Sequence, residues 1–312
     1  MNSLEKADKP STQSQCLWVC IPVFNRVEFT LKCLASLKKQ SFRNFHVVLC
    51  DHGSTDNTSK AIRTYFPEVD LISAESSLWW TGAINLCVKY AMDKGDADSD
   101  YILTLNNDLE VDTDYLENLV TAASLHKDAI ITSAGHDIQT RLLVSPGCRQ
   151  NWVTSKSKPI EPATDCLPGE QLAEVTHASG RGTLIPMKVF KEIGLYDEQH
   201  LPHYGADYDL SFRARRSGYR VLVSFEAKVF SHIDATGLTA IRRDLSWNAF
   251  RRYLSDMKSP ANLSVRWWLG VRNCPAALLP SYLILDMAFV TASFFKFHFV
   301  RGCDAIRGRD MM

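Results

Sequence analysis

Two short acidic turns in this sequence carry residue types that hold nucleotides and metal ions, and each has an ordinary structural reading beside the chemical one. Asp51-His-Gly-Ser-Thr-Asp56 follows an apolar run and precedes a segment of helical period. Gly53 permits a tight turn there, and Ser54 or Asp56 can cap the helix behind it. A carboxylate at such a strand end, as Asp51 is, also accepts the imide N–H of a pyrimidine base well. Asn106-Asn-Asp108, with Glu110 close behind, likewise closes an apolar run. Asp108 reads either as part of a solvated turn or as a ligand for Mg²⁺ or Mn²⁺, hard cations that take oxygen and keep positions free for a diphosphate. Further on, His203-Tyr-Gly-Ala-Asp-Tyr-Asp209 places two acids before a helix bearing Arg213, Arg215 and Arg216. Carboxylates at that end of a helix complement its dipole, so Asp207 and Asp209 also have a plain structural role open to them. The two glycines of Gly180-Arg-Gly182 allow backbone to approach a ligand closely, and Arg181 suits an anion; a plain turn explains the segment nearly as well. Trp79 and Trp80, next to Gly82, offer either core packing or an apolar wall for sugar rings.

The elements that must position these residues alternate in type. Leu17 to Val23, Phe45 to Asp51, Val69 to Ser73 and Tyr101 to Leu105 read as strands. Helices are expected after the first strand, with Phe29, Cys33, Ser36 and Leu37 on one face, and over Asp56 to Phe66 and Thr81 to Asp93. This β-α-β-α-β-α-β order predicts an α/β fold whose ligands sit beyond the carboxyl ends of the strands. Those ends carry Asn25-Arg26, Asp51 to Asp56 and Asn106 to Asp108, so three polar clusters are expected in one crevice. The polar, Pro/Ser/Thr-rich stretch 150–171 reads as a long loop near a substrate entrance.

The last part of the chain differs in character. Leu278 to Val300 is apolar and long enough to span a bilayer, but Pro280, Asp286 and Lys296 interrupt it. Arg266, Trp267, Trp268 and Arg272 precede it, and Arg301, Arg307 and Arg309 follow. That pattern predicts a helix lying on a membrane surface; the plainer reading is a helical hairpin packed on the core or on a second subunit. The expected organisation is a flexible tail over 1–15, an α/β domain over 16–240, and a helical, membrane-associating segment over 241–312.

Composition narrows the class. With 312 residues, 46% hydrophobic and 22% charged, the chain is enzyme-sized and neither disordered nor polytopic. Lys+Arg and Asp+Glu are both 35, so no net field draws in nucleic acid. The nine cysteines are scattered without a C-x-x-C pair, which predicts reduced thiols in a cytosolic protein. Met1 to Gln15 is polar and does not read as a secretory signal.

Taken in order, Leu17 to Arg26, Asp51-x-Gly-Ser-Thr-Asp56, Trp79-Trp-Thr-Gly-Ala-Ile-Asn85, Leu105-Asn-Asn-Asp108 and Tyr204-Gly-Ala-Asp-Tyr-Asp-Leu-Ser-Phe-Arg213 resemble the family 2 inverting glycosyltransferases of GT-A fold, over about Leu17 to Thr239. The resemblance implies that Pro22, Val23, Asn25, Asp51, Asn85, Asn107 and Asp108 hold a nucleotide-sugar donor, UDP- or dTDP-type. It implies that Asp108 and His232 hold a divalent cation, Mg²⁺ or Mn²⁺, on the donor diphosphate. Asp207 is the implied general base, with Asp209 as its understudy, and Trp80, Gly180, Arg181, Gly182 and Asp209 stand on the acceptor side. Three positions depart from the family pattern: Asn106 replaces the first acid of the D-x-D motif, His52 follows Asp51 where a second acid is common, and Ala206 stands where the acidic neighbour of the base is usual. The implied acceptor is a lipid-linked glycan or oligosaccharide met at the cytoplasmic, inner face of a membrane, and a homodimer is compatible with this. A sugar nucleotidyltransferase is the alternative enzyme, although it would carry a Gly-rich, Arg-bearing loop where this chain has Pro22-Val-Phe-Asn-Arg26. A catalytically silent nucleotide- or glycan-binding scaffold is the alternative from another class.

Overall fold

The computed structural model describes residues 15–232 and 246–307. The expected tail over 1–15 lies, apart from its last residue, outside the described residues, as does most of the boundary expected near residue 240.

The first half builds a parallel sheet. Its elements are β1 (Leu17–Val23), α1 (Val27–Lys38), β2 (Phe45–Asp51), α2 (Thr58–Tyr65), β3 (Asp70–Ser73), α3 (Trp79–Lys94) and β4 (Tyr101–Thr104). These four strands run parallel in the order β3-β2-β1-β4. All seven residues of β1 are buried, which is why it reads as an unbroken apolar run. Alternate residues leave the sheet on opposite faces: Trp18 and Cys20 pack with Ala83, Ile84 and Cys87 of α3, while Leu17, Val19 and Ile21 pack with Leu34 and Leu37 of α1.

The chain continues through β5 (Leu109–Val111), α4 (Tyr115–Leu125), β6 (Ile130–Asp137), β7 (Leu143–Ser145), β8 (Cys148–Asn151), β9 (Lys156–Pro159), α5 (Pro162–Asp165), β10 (Leu172–Glu174), β11 (Thr183–Pro186), α6 (Met187–Ile193), α7 (Ala206–Arg216) and β12 (Val221–Ser231). β11 joins β4 antiparallel and makes the sheet mixed, extending it in the order β4-β11-β6-β12-β10. Three helices follow: α8 (Trp247–Ser255), α9 (Leu263–Asn273) and α10 (Leu279–Arg307).

One local expectation is corrected. Residues 150–171 are no loop: β8 and β9 pair as an antiparallel hairpin, Cys148 opposite Pro159, followed by the short α5. Asn151 closes the hairpin by accepting the amides of Val153 and Thr154, an Asx turn whose polar flanking strands gave no apolar alternation to read. The segment from Gly180 to Pro186 precedes a helix as expected: Gly180-Arg-Gly182 leads into β11, and α6 begins at Met187.

Candidate active site

Strand order sets where the crevice lies. The chain builds β3-β2-β1 in one direction and then places β4 on the other side of β1, so the connections leaving β1 and β4 diverge and open a cleft at their carboxyl ends. Pro22 and Val23 stay inside the sheet, Val23 with no exposed surface, opposite Cys50 and Asp51. The next residues reach the rim. Asn25 and Arg26 both adopt left-handed backbone, φ 58° and 63°, uncommon for residues with a Cβ and a mark of strain held by surrounding bonds.

The turn after β2 supplies those bonds. Ser54 Oγ accepts the Asn25 amide at 2.6 Å, the Asn25 side-chain oxygen accepts the Thr55 amide at 2.8 Å, and Asp56 Oδ2 accepts the Val27 amide at 2.9 Å. Asp56 Oδ1 also takes the Thr58 amide, so one carboxylate starts both α1 and α2. Desolvation acts to raise the pKa of Asp56, but the Thr58 hydroxyl and the Val27 and Thr58 amides outweigh it and hold the carboxyl below its usual value. Asp51, 5% exposed, accepts the Ser54 amide at 2.9 Å and the Ser59 hydroxyl, and so shapes the same turn from beneath. His52 stacks on Phe24 with ring centroids 5.3 Å apart, and burial lowers its pKa, which keeps the imidazole neutral.

β4 delivers the third cluster. Asn107 donates to the Thr30 hydroxyl at 2.9 Å, which ties the β4 turn to α1. Arg26 Nη1 donates to Asp108 Oδ2 at 3.3 Å. The His232 amide donates to the Asp108 carbonyl at 3.4 Å, which sets the imidazole beside that turn, and its Nε2 meets Glu110 Oε1 at 2.9 Å. A carboxylate on one ring nitrogen is how proteins aim the other at a cation. Among the described residues no three His, Cys, Asp or Glu side chains are grouped to hold a metal ion by themselves. This donor set, one carboxylate and one oriented histidine, therefore fits a hard cation carried mainly by phosphate and water oxygens, and does not fit a resident ion in an all-protein cage.

Across the cleft stands Asp207, in the first turn of α7. Its Oδ2 accepts the Gly180 amide at 2.8 Å and its Oδ1 accepts the Tyr208 amide at 2.9 Å. Tyr196, Ile130, Ile185 and Leu210 line a gap of about 10 Å³ beside it, room for a single water. Desolvation by this wall raises the Asp207 pKa above the usual carboxylate value, even against the two amides and Arg181. A carboxylate whose basicity is raised by burial is better suited to taking a proton. Tyr204, whose hydroxyl pKa is raised by burial, lies within electrostatic reach of Arg181, Asp207, Arg26 and Asp108, and so connects the two walls.

Trp80 spans the same gap. Its Nε1 donates to Asn106 Oδ1 at 3.0 Å, and its ring lies so close to Gly180 that a Cβ there would sit 2.5 Å from it. Only glycine fits at Gly180, and the close approach brings the Asp207-holding loop next to the β4 turn. Gly182, φ 82°, is equally confined, since a Cβ would lie 2.7 Å from the Tyr115 hydroxyl.

Besides Pro22 and Val23, which stay inside the sheet, two further expected site residues are not in this crevice. Asn85 is 2% exposed and clasps the Tyr196 backbone, donating to its carbonyl at 2.9 Å and to Glu198 at 3.0 Å and accepting its amide at 3.1 Å. Both of its N–H donors are engaged, because it lies on the buried side of α3. Asp209 has no exposed surface and accepts from Arg213 at 2.7 Å, Arg272 at 3.2 Å and Asn273 at 3.0 Å. Two positions along a helix is about 200° of rotation, so Asp209 points away from the side that Asp207 presents. It holds α9 to α7 and is no substitute base. Conversely, Arg26 on Asp108 and Glu110 on His232 were not singled out from the sequence. The second pairing is 122 residues apart and leaves no local signal.

Comparison with known proteins agrees with this architecture. Residues 18–194 match the family described as Glycosyl transferase family 2. The N-acetylglucosaminyl-diphospho-decaprenol L-rhamnosyltransferase of Mycobacterium tuberculosis is 26% identical over 216 residues, covering 64% of this chain and 70% of that protein. Among solved structures, GalNAc-T7 with UDP, GalNAc and Mn²⁺ superposes with a TM-score of 0.59 at 18% identity over 70% of this chain and 44% of that one, so this chain spans less than half of it. Staphylococcus aureus TarS 1–349 in complex with UDP-GlcNAc gives a TM-score of 0.55 at 16% identity, over 88% and 73%. Both are likenesses of fold. The chain belongs to glycosyl transferase family 2 and has the GT-A fold.

Proposed function

We propose that this protein transfers a sugar from a pyrimidine nucleotide-sugar to a hydroxyl of a lipid-linked glycan, with inversion at the anomeric carbon. The observation that carries the reading is the joining of the Asp207 loop to the Asn106–Asp108 turn through Trp80, which bonds Asn106 and packs on Gly180, and through Tyr204, which lies among Asp207, Arg26 and Asp108. Asp207 accepts the proton of the acceptor hydroxyl as its oxygen bonds to the anomeric carbon. The bond from that carbon to the diphosphate breaks on the opposite side, and the nucleoside diphosphate leaves with the electron pair. No covalent enzyme intermediate is needed. Asp51 and Asn25 face the nucleoside, while Arg26 stands beside Asp108 to meet the phosphates. A divalent cation bound by Asp108, with His232 aimed by Glu110, would offset charge on the departing diphosphate. The M. tuberculosis relative, named for a diphospho-decaprenol acceptor, supports the lipid-linked choice.

Attachment to a membrane surface is part of the same proposal. Ala276–Lys296 is long and apolar enough to cross a membrane by length and composition, and only 22% of it is buried in the protein. Asp286 within it is buried and paired with Arg266 of α9 at 2.5 Å, so its charge is neutralised inside the protein. Ile284, Phe289 and Phe295 of α10 are exposed, and so are Leu263, Trp267 and Val271 at four-residue spacing along α9. Exposed apolar residues on both helices suit an interfacial position on the cytoplasmic face. The protein is expected to float with phosphatidylglycerol-containing vesicles, and Trp267→Glu with Ile284→Glu to remain at the bottom of the gradient. Flotation unchanged by the double substitution would remove the membrane assignment.

The donor is tested by thermal unfolding with UDP-, dTDP- and GDP-sugars, with and without Mn²⁺. A bound sugar nucleotide at a hundred times its Kd stabilises the fold by about 2.7 kcal/mol. A shift with one pyrimidine nucleotide-sugar, larger with Mn²⁺, is expected; no shift with any of them from folded protein would sink the transferase reading and favour the silent scaffold.

A further inference from the structure

Apart from the catalytic cleft, the most developed concavity is a groove of about 450 Å³ at the carboxyl end of α7, with Trp152, Phe212, Arg215, Arg216, Arg272 and Pro275 in its wall. It is no extension of the cleft. Phe212 and Arg216 follow Asp207 by five and nine residues on one helix, about 140° and 180° of rotation, so the groove lies on the side of α7 turned away from the base. Cations outnumber their partners there. Asp197, Asp209 and Glu174 pair with Arg272, Arg213, Arg215 and Arg220, and none of the three reaches Arg216. Among the described residues Arg216 has no carboxylate within ion-pair distance; its Nη1 donates to the neutral Asn273 side chain at 2.9 Å. Complementing the α7 dipole accounts for Arg213, which also binds the Ile193 and Leu195 carbonyls, but not for a guanidinium without a counter-charge at a groove.

The groove borders the exposed apolar residues of the last two helices. On α9, Leu263, Trp267 and Val271 are exposed, and Val271 is followed directly by Arg272 and Asn273 of the groove wall. On α10, Tyr282 meets Trp152 with ring centroids 5.0 Å apart, and Trp152 also meets Phe212 at 5.1 Å. Seven residues beyond Tyr282, about two turns along the same side of α10, Phe289 is exposed, with Lys156 of the β8–β9 hairpin 5.0 Å from its ring centre. Cationic groups thus stand at the edge of an apolar surface. A free inorganic anion has no use for that border, whereas a phospholipid carries its anionic phosphodiester where its apolar chains begin. We propose that Arg215 and Arg216 bind the phosphodiester headgroup of an anionic phospholipid, with Trp152 as the apolar wall of the site. Guanidinium forks match phosphate oxygens, and a lipid held there fixes how the protein is turned on the membrane.

This assignment rests on the membrane-surface reading, and its test separates the two. Partitioning of the purified full-length protein is measured on phosphatidylcholine vesicles with and without phosphatidylglycerol. The wild type is expected to bind the phosphatidylglycerol vesicles at least about tenfold more tightly, and Arg215→Gln with Arg216→Gln to lose that preference while keeping its affinity for phosphatidylcholine alone. Both substitutions leave the buried Asp209 with Arg213, Arg272 and Asn273. Arg216→Gln by itself is a milder variant and should reduce the preference about threefold or more. Lys60→Gln with Lys89→Gln removes the same charge from exposed positions of α2 and α3 and should leave the preference intact. An unchanged preference in the arginine variants, or an equal loss in the lysine control, overturns the headgroup site and leaves membrane attachment standing. Calorimetry that finds inorganic phosphate binding as tightly as dihexanoylphosphatidylglycerol would make the groove a plain anion site and also overturn it. A wild-type protein that binds neither vesicle defeats the membrane reading, and the headgroup site with it.

Discussion

Asp207→Asn is expected to lower kcat for sugar transfer by about 10²–10⁴-fold, the range supplied by a positioned general base, while donor affinity stays close to that of the wild type. The expectation follows from where Asp207 sits. Its oxygens are fixed by the Gly180 and Tyr208 amides at 2.8 Å and 2.9 Å, and no donor-side residue depends on it for its own geometry. An amide cannot take the proton of the acceptor hydroxyl. The pH profile provides a second readout. Burial raises the pKa of Asp207 above that of an ordinary aspartate, about 3.9. The base works ionised, so kcat/KM should rise with pH through that elevated value, level off above it, and fall on acidification before most surface carboxylates titrate. Near-native turnover by Asp207→Asn, with product identified by mass, would reassign the base.

Asp209→Ala is expected to have the opposite signature. Removing one partner of a buried ion pair destabilises by about 3–5 kcal/mol because the remaining charges lose their compensation. Here the carboxylate has no exposed surface and two guanidinium groups converge on it, the side chain of Arg213 15% exposed and that of Arg272 33%. A clear fall in the urea midpoint should follow, with α9 and α10 loosened from α7. At temperatures where the variant stays folded, hydrolysis of the donor in the absence of acceptor should continue, since Asp209 touches nothing in the cleft. A variant as stable as the wild type, or one folded but unable to bind donor, would contradict this division between two acids two residues apart.

The sequence by itself determined the elements and the layer in which the chemistry lies. β1 and β2 are placed as the apolar runs predict: β1 is covered on both faces and apolar throughout, while β2 is buried only from Val48 to Asp51. The three polar clusters meet because consecutive parallel strands end on the same edge of a sheet, and local order is enough to say so. The GT-A fold was implied by the resemblance of five motifs, in order, to glycosyl transferase family 2. Residue-level assignments divided by range. Asp56 was readable as a cap for α2, whereas its bond to the Val27 amide, which also starts α1, joins segments 29 residues apart. Asn85 and Asp209 lay within matching motifs, yet the structure turns one toward Tyr196 and the other toward Arg272 and Asn273. Which face of a helix meets the core, and which meets a ligand, depends on partners that arrive from distant segments, 111 residues away for Asn85 and 63 for Asp209. Local propensity and periodicity specify the helix, but only the packing of those remote segments decides which of its carboxylates remains open to a substrate and which is neutralised in the interior.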